Sequence, residues 1–140
     1  MTDIVKVKTG NQFEELGSYS RLVAVNNLIF VSNTAGRNPQ TKLIPTDLTE
    51  QTLQVLGNIE TALAAAGACL ADTVAARVFV QFPQDVETVM AAFATKMRGI
   101  NPTLTMTCPP LGSAEYKVEI EITAYRGASK ANITQINLAR

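Results

Sequence analysis

Residues 116–126 read YKVEIEITAYR, the clearest strand in the chain and the one on which its fold depends. Apolar side chains alternate along it with charged, polar and aromatic ones. The apolar positions are Val118, Ile120, Ile122 and Ala124, and the positions between them are Lys117, Glu119, Glu121, Thr123 and Tyr125. Because successive side chains of a strand point to opposite faces of a sheet, the apolar set predicts a face that packs against helices.

Two amphipathic helices are available to cover that face. Apolar residues recur at spacings of three and four from residue 48 to 66, after a start at Asp47 and Glu50 that resembles a capping box. A second helix is predicted from near residues 83–85 to Gly99, with its apolar stripe at Val86, Val89, Met90, Phe93 and Met97. Strands are predicted at residues 4–8, 21–25, 28–31, 73–82, 103–107 and 116–126, with a loop at residues 33–46. The order β-β-β-α-β-α-β-β predicts an α+β protein, with a six-stranded mixed sheet and two helices on one face.

The other face of the predicted sheet has an ambiguous composition. Along residues 73–82, the positions expected to face the helices are Val74, Ala76, Val78, Val80 and Phe82. The uncovered face would then carry Arg77, Phe79, Gln81, Glu119, Glu121 and Tyr125. Such a face is too apolar for free solvent and too charged for a core. Association of subunits around it would resolve the conflict, with binding sites where the subunits meet.

The composition limits the classes of function. Hydrophobic residues make up 46% of the 140 residues and charged residues 17%, as in a folded globular domain. Twelve basic and twelve acidic residues balance without a basic run, which argues against nucleic-acid binding. The absence of histidine excludes Ser–His and Cys–His nucleophile pairs and histidine metal sites. No segment reads as a signal peptide or a membrane helix, so the sequence predicts a cytoplasmic location and no membrane partner.

Five stretches of the chain, in this order and spacing, resemble the Rid family of reactive-intermediate imine and enamine deaminases. They are GSYS at 17–20, NNLIFVSNTAG at 26–36, EQTLQVLGNIETALAAAG at 50–67, ARVFVQFPQDVETVM at 76–90 and KVEIEITAYR at 117–126. The resemblance covers about residues 10–126. It implies a chorismate-mutase-like fold and a homotrimer with clefts at the subunit interfaces. A single domain is therefore expected at residues 1–126, followed by a C-terminal extension at 127–140.

The resemblance also implies a reaction and the residues that carry it. Rid proteins hydrolyse 2-imino and 2-enamino acids to 2-oxo acids and ammonia without metal or cofactor, so neither is expected here. Tyr19, Ser32 and Glu119 match a tyrosine, a serine and a glutamate of the family's site, and Asn33 is expected to contact substrate beside them. Partial burial would raise the pKa of Glu119, which could then position the attacking water.

The chain departs from the family pattern at three points. Leu104 stands where the family has an arginine that holds the substrate carboxylate, Met90 where an asparagine is frequent, and Met106 where a cysteine is frequent. All three are expected to line the substrate cleft. A charge-assisted bidentate pair contributes about 1.5–3 kcal/mol, so its loss would disable ordinary substrates unless another cation replaces it. Arg77 and Arg37 are the two candidates for that replacement.

Three hypotheses follow. The first is an imine or enamine deaminase with altered substrate choice, for which the doubly acidic enamine 2-aminomuconate is the most specific candidate. The second is a non-catalytic trimer that binds a small metabolite or a partner. The third is a ribonuclease, a label often attached to this family, against which the charge balance and the missing histidine argue.

Overall fold

The computed structural model describes residues 1–139, which form six strands and three α-helices. The strands are β1 (Ile4–Val7), β2 (Leu22–Val25), β3 (Leu28–Ala35), β4 (Thr73–Val80), β5 (Thr103–Thr107) and β6 (Val118–Tyr125). The helices are α1 (Gln12–Gly17), α2 (Leu48–Ala65) and α3 (Val86–Met97). The sheet order is β1-β2-β3-β6-β4-β5, and it is mixed because β4 and β5 are parallel while the other pairs are antiparallel. The predicted α+β class and six-stranded mixed sheet are confirmed.

Strand β6 lies at the centre of the sheet, between β3 and β4. Its apolar side chains are at most 1% exposed, and they pack with the apolar stripes of α2 and α3 in one core. The alternation in residues 116–126 therefore predicts the buried face correctly. Burial of this face is the main favourable term for folding, and it leaves Glu119 on the opposite face.

The sequence pattern does not predict helix α1. It has six residues, which is too short to show a periodic apolar stripe. Local hydrogen bonds define it instead. The Asn11 side chain accepts from the Phe13 N–H at 2.7 Å, and Ser18 closes the helix with a left-handed φ of 55°.

The end of β3 and the face of Val74 were predicted wrongly, and a β-bulge lies at each place. Strand β3 continues to Ala35, so the first three residues of the predicted loop at 33–46 belong to it. Its pairing with β6 shifts between Val31 and Thr34 and then resumes. In β4 the register shifts between Thr73 and Ala75, and Val74 is exposed instead of facing the helices. An extra residue in one strand interrupts the strict alternation from which the face of Val74 was predicted.

The chain beyond β6 is largely exposed. A short 3-10 helix spans Ala128–Lys130, and the Ser129 N–H donates to Asp72 Oδ1 at 2.8 Å. Residues 131–139 are exposed and form no helix or strand. The boundary between the domain at 1–126 and the extension at 127–140 stays a prediction.

Gly36 follows β3 and packs against the N-terminal half of α2, where there is no room for a side chain. A Cβ there would lie 2.6 Å from the Gln51 carbonyl oxygen and 3.3 Å from Val55 Cγ2. We expect Gly36→Ala to lower the free energy of unfolding by about 1–3 kcal/mol, as overpacking does. Denaturant unfolding would measure it. Gly57→Ala is the matched control, since its Cβ meets nothing within 4 Å, and Ala is the better helix former by about 0.5–1 kcal/mol. Equal effects of the two variants would contradict this reading.

Candidate functional site

Glu119 and Asn33 form the centre of the site. Glu119 is partly buried on the face of β6 opposite the helices, and Asn33 Nδ2 donates to its Oε1 at 2.6 Å. Asn33 lies within the bulge of β3, where the register shifts by one residue. A bulge re-aims a side chain that regular pleating would point elsewhere. The bulge therefore brings an amide onto the carboxylate and holds its orientation.

The environment of Glu119 makes it a better proton acceptor than an ordinary glutamate. Burial raises the pKa of Glu119 above its usual value, and the positive charge of Arg21 partly opposes that effect. Desolvation disfavours the charged form of a carboxylate, so the ionised group binds a proton more readily. The expectation that partial burial raises this pKa agrees with the structure.

Arg21 is a site residue that the sequence reasoning missed. Its Nη2 donates to the Asn33 carbonyl oxygen at 3.0 Å, and its guanidinium carbon lies 5.8 Å from the centroid of the Tyr19 ring. The signal was present in the predicted strands at residues 21–25 and 28–31, which the structure joins by a turn into the antiparallel pair β2–β3. Its register pairs Leu22 with Val31, which places Arg21 next along the chain, opposite Ser32. Counting back from the turn would have placed Arg21 beside the predicted site.

Ser32 and Tyr19 both line the site, but the Ser32 hydroxyl is hydrogen-bonded within the protein and the Tyr19 side chain is more exposed. The Ser32 hydroxyl donates to the Ser20 carbonyl oxygen at 2.7 Å, so its proton is engaged and its oxygen can only accept further bonds. The Tyr19 side chain is more open, with 39% of the residue exposed. Both contribute to a cavity of about 940 Å³ that also includes Glu119, Asn33 and Arg21.

The charge of this cavity is strongly unbalanced. Its cationic lining residues are Lys8, Arg21, Arg37 and Lys42, and its carboxylate is Glu119. Arg37 is committed to neighbours, since it donates to the Tyr116 hydroxyl at 2.7 Å and to the Lys42 carbonyl oxygen at 2.6 Å. Lys8 pairs with Glu15 at 3.2 Å. The cavity suits an anionic ligand.

The other predicted site residues lie elsewhere in the chain. Leu104 and Met90 line a second groove of about 380 Å³ between α3 and β5. Met106 packs against the core, on the helix side of the sheet. Arg77 is exposed on β4, opposite Glu121 of β6, and lies outside the lining of the large cavity. The folded chain therefore brings together Tyr19, Ser32, Asn33 and Glu119, and the other four predicted residues lie apart from them.

Ionisation of Glu119 links stability to pH. The pKa of Glu119 is near 4.5 in the unfolded chain and higher in the folded protein, so the folded protein keeps the Glu119 proton to a higher pH. As the pH rises through this window the unfolded state releases its proton first, so the free energy of unfolding falls. We expect Glu119→Gln to remove this loss. Thermal unfolding of both proteins from about pH 4 to pH 7 would show a difference that grows with pH. A constant difference would contradict the burial of the charge.

Fold and site together define a class of protein: an α+β domain with a large cavity around a partly buried carboxylate. Within residues 1–139, no helix is long and apolar enough to cross a membrane. Nor do three or more cysteine, aspartate or glutamate side chains converge there as metal ligands would.

The comparisons then give the family. A family model described as Endoribonuclease L-PSP matches residues 9–126. The chain therefore belongs to the endoribonuclease L-PSP family, which includes the Rid and YjgF proteins.

Three similar proteins illustrate this membership. The 2-iminobutanoate/2-iminopropanoate deaminase of Escherichia coli K12 is 31% identical over 119 residues, which are 84% of this chain and 93% of that protein. Rv2704 of Mycobacterium tuberculosis, solved as a YjgF/YER057c/UK114 family member, has a TM-score of 0.79 and 33% identity, with 88% and 99% coverage. YyfA of Yersinia pestis, solved as a Rid family protein of unknown function, has a TM-score of 0.78 and 27% identity, with 88% and 99% coverage.

Proposed function

We propose that this protein hydrolyses the C=N bond of a 2-imino acid, or of the imine tautomer of a 2-enamino acid, releasing a 2-oxo acid and ammonia. The observation that carries the proposal is Glu119, a partly buried carboxylate with a raised pKa that Asn33 orients in a cationic cavity. The curated relatives named as 2-iminobutanoate/2-iminopropanoate deaminases support imine deamination in general. Small imino acids are anionic, in agreement with the charge of the cavity.

The residues of the site supply the proton transfers that this hydrolysis needs. Water adds to the iminium carbon while Glu119 accepts one of its protons, which gives a neutral carbinolamine. Glu119 then returns that proton to the amine nitrogen, the C–N bond breaks, and the hydroxyl proton leaves with ammonia as ammonium. Tyr19 and the Ser32 oxygen contact the amine as it forms. A base with a raised pKa suits both transfers.

Assembly into a homotrimer belongs to the same proposal. The face of the sheet opposite the helices exposes Phe30 and Tyr125 by nearly half and carries Arg77 among them. Contact between copies through this face would cover these side chains, and it could bring the Leu104 and Met90 groove of one copy against the Glu119 cavity of the next. Sedimentation equilibrium should then give about 45 kDa, three times the 15.0 kDa chain. A 15.0 kDa species would refute this part.

Substrate identity is the finer part of the proposal. Leu104 cannot bind a carboxylate, so a substrate held from another side is expected, and 2-aminomuconate remains the specific candidate. Ammonia release should be measured from 2-iminopropanoate, 2-iminobutanoate and 2-aminomuconate, each generated in place. Release from none of them would overturn the deaminase proposal and favour a binding protein. The proposal includes no RNA substrate, because acidic and basic residues balance and histidine is absent.

A further inference from the structure

We propose that Arg21 is the cation that binds the substrate carboxylate in this site, an inference that rests on the proposed deaminase function. Leu104 leaves the site without the expected arginine, and the two replacements considered from the sequence were Arg77 and Arg37. Within one chain, Arg77 lies outside the cavity, and Arg37 is bound to Tyr116 and to the Lys42 carbonyl. Arg21 lines the cavity, and it bonds to Asn33, the residue that also bonds to the catalytic carboxylate.

Arg21 has donors to spare. A guanidinium carries five N–H donors, and here Nη2 makes a bond, to the Asn33 carbonyl oxygen at 3.0 Å. Nε is buried, and no group within residues 1–139 accepts from it. Buried donors without acceptors are rare in folded proteins. Carboxylates prefer the planar fork of an arginine, so a substrate carboxylate is a suitable acceptor for its unused groups.

The charge of Arg21 is also unpaired. The salt bridges within residues 1–139 are Lys8–Glu15 and Lys96–Glu60, so Arg21 and Glu119 are not within 4.0 Å of each other. Their charges still interact, since Arg21 lowers the pKa that burial raises at Glu119. The cation is thus close to the catalytic carboxylate and remains free to bind a second carboxylate, that of the substrate.

Asn33 bonds to both the cation and the carboxylate. Its backbone oxygen accepts from Arg21, and its side-chain amide donates to Glu119. In a 2-imino acid the carboxylate is bonded directly to the imine carbon. A substrate whose carboxylate lies on Arg21 therefore presents its electrophilic carbon to the water that Glu119 activates. The Tyr19 ring beside the guanidinium restricts the movement of Arg21.

The test compares Arg21→Gln with the unchanged protein by calorimetric titration of two ligands. The first is 2-oxobutanoate, the oxo acid formed from 2-iminobutanoate, and the second is its neutral amide, 2-oxobutanamide. We expect Arg21→Gln to weaken 2-oxobutanoate binding about 10- to 150-fold, as loss of a charge-assisted pair does, and to leave the amide affinity unchanged. In turnover the same variant should raise KM for 2-iminobutanoate and largely keep kcat.

Two further variants serve as controls. Lys130→Gln removes the same charge from an exposed position outside the cavity and should change neither affinity. Arg21→Lys keeps the charge but loses the planar fork, so an intermediate weakening is expected, and it serves in place of Arg21→Gln if that variant does not fold. Thermal unfolding checks the fold of each.

The outcomes separate this inference from the proposed function. Unchanged 2-oxobutanoate affinity in both Arg21 variants, or equal weakening of acid and amide, overturns the role of Arg21 even if deamination is observed. Weaker binding of 2-oxobutanoate with unchanged binding of the amide supports the role of Arg21, even if the unchanged protein releases no ammonia. In that second case the deaminase proposal fails alone, and the cavity is a carboxylate-binding site.

Discussion

Replacing Glu119 with glutamine is expected to lower kcat for imine hydrolysis by about 10²- to 10⁴-fold, the usual contribution of a positioned general acid–base group. Glutamine keeps the shape of the side chain and can still bond to Asn33, which donates to Oε1 at 2.6 Å in the unchanged protein. It cannot accept a proton from water. Ammonia release under saturating substrate would measure the loss.

Glu121→Gln is the matched control for this variant. Glu121 lies two residues further along β6, on the same face of the sheet, and outside the lining of the large cavity. It should keep kcat close to that of the unchanged protein. If Glu119→Gln and Glu121→Gln lose activity equally, or if Glu119→Gln retains full activity, Glu119 is not the proton carrier.

The second large effect is expected at Gln51, a buried amide that connects α2 to the start of β6. Gln51 is 1% exposed, and its Nε2 donates to the carbonyl oxygens of Pro45 at 2.8 Å and Glu115 at 3.1 Å. Its Oε1 accepts from the backbone N–H groups of Lys117 at 2.8 Å and Val118 at 3.3 Å. Three of these four bonds are therefore made with the backbone just before Glu119, and the fourth with the loop before α2.

We expect Gln51→Met to reduce the free energy of unfolding by about 2–5 kcal/mol. Methionine is similar in size to glutamine, but it leaves the buried backbone groups that Gln51 contacts without hydrogen-bond partners. Deamination should fall with it, since the start of β6 positions Glu119. Denaturant unfolding and ammonia release would be measured on the same samples.

Gln54→Met makes the same change one turn further along α2, where Gln54 bonds to Asn58 Oδ1 on its own helix at 2.9 Å. Its effect on stability should be well under half as large. If Gln51→Met is no more destabilising than Gln54→Met, the proposed connection between α2 and β6 is not important for stability.

Much of the fold can be predicted from the sequence, for a physical reason that β6 makes plain. Burying one face of a strand requires apolar residues at every second position, and residues 118–124 satisfy this without exception. The helices α2 and α3 show the corresponding period of an amphipathic helix. Where the chain breaks its own period, as at Val74, prediction fails because a bulge changes which face the next side chain meets.

The site, like the fold, has a part that can be predicted from the sequence and a part that cannot. The sequence by itself determined the strand that carries Glu119 and the face from which it points, since both depend on local alternation. Only the tertiary structure decided that Asn33 reaches across from the bulge in β3, that Arg21 lies beside them, and that Leu104 lies in a separate groove. These contacts join residues up to 86 positions apart, and they depend on strand register and on bulges. The burial that raises the pKa of Glu119 is likewise a property of the packed sheet, not of residues 116–126 alone.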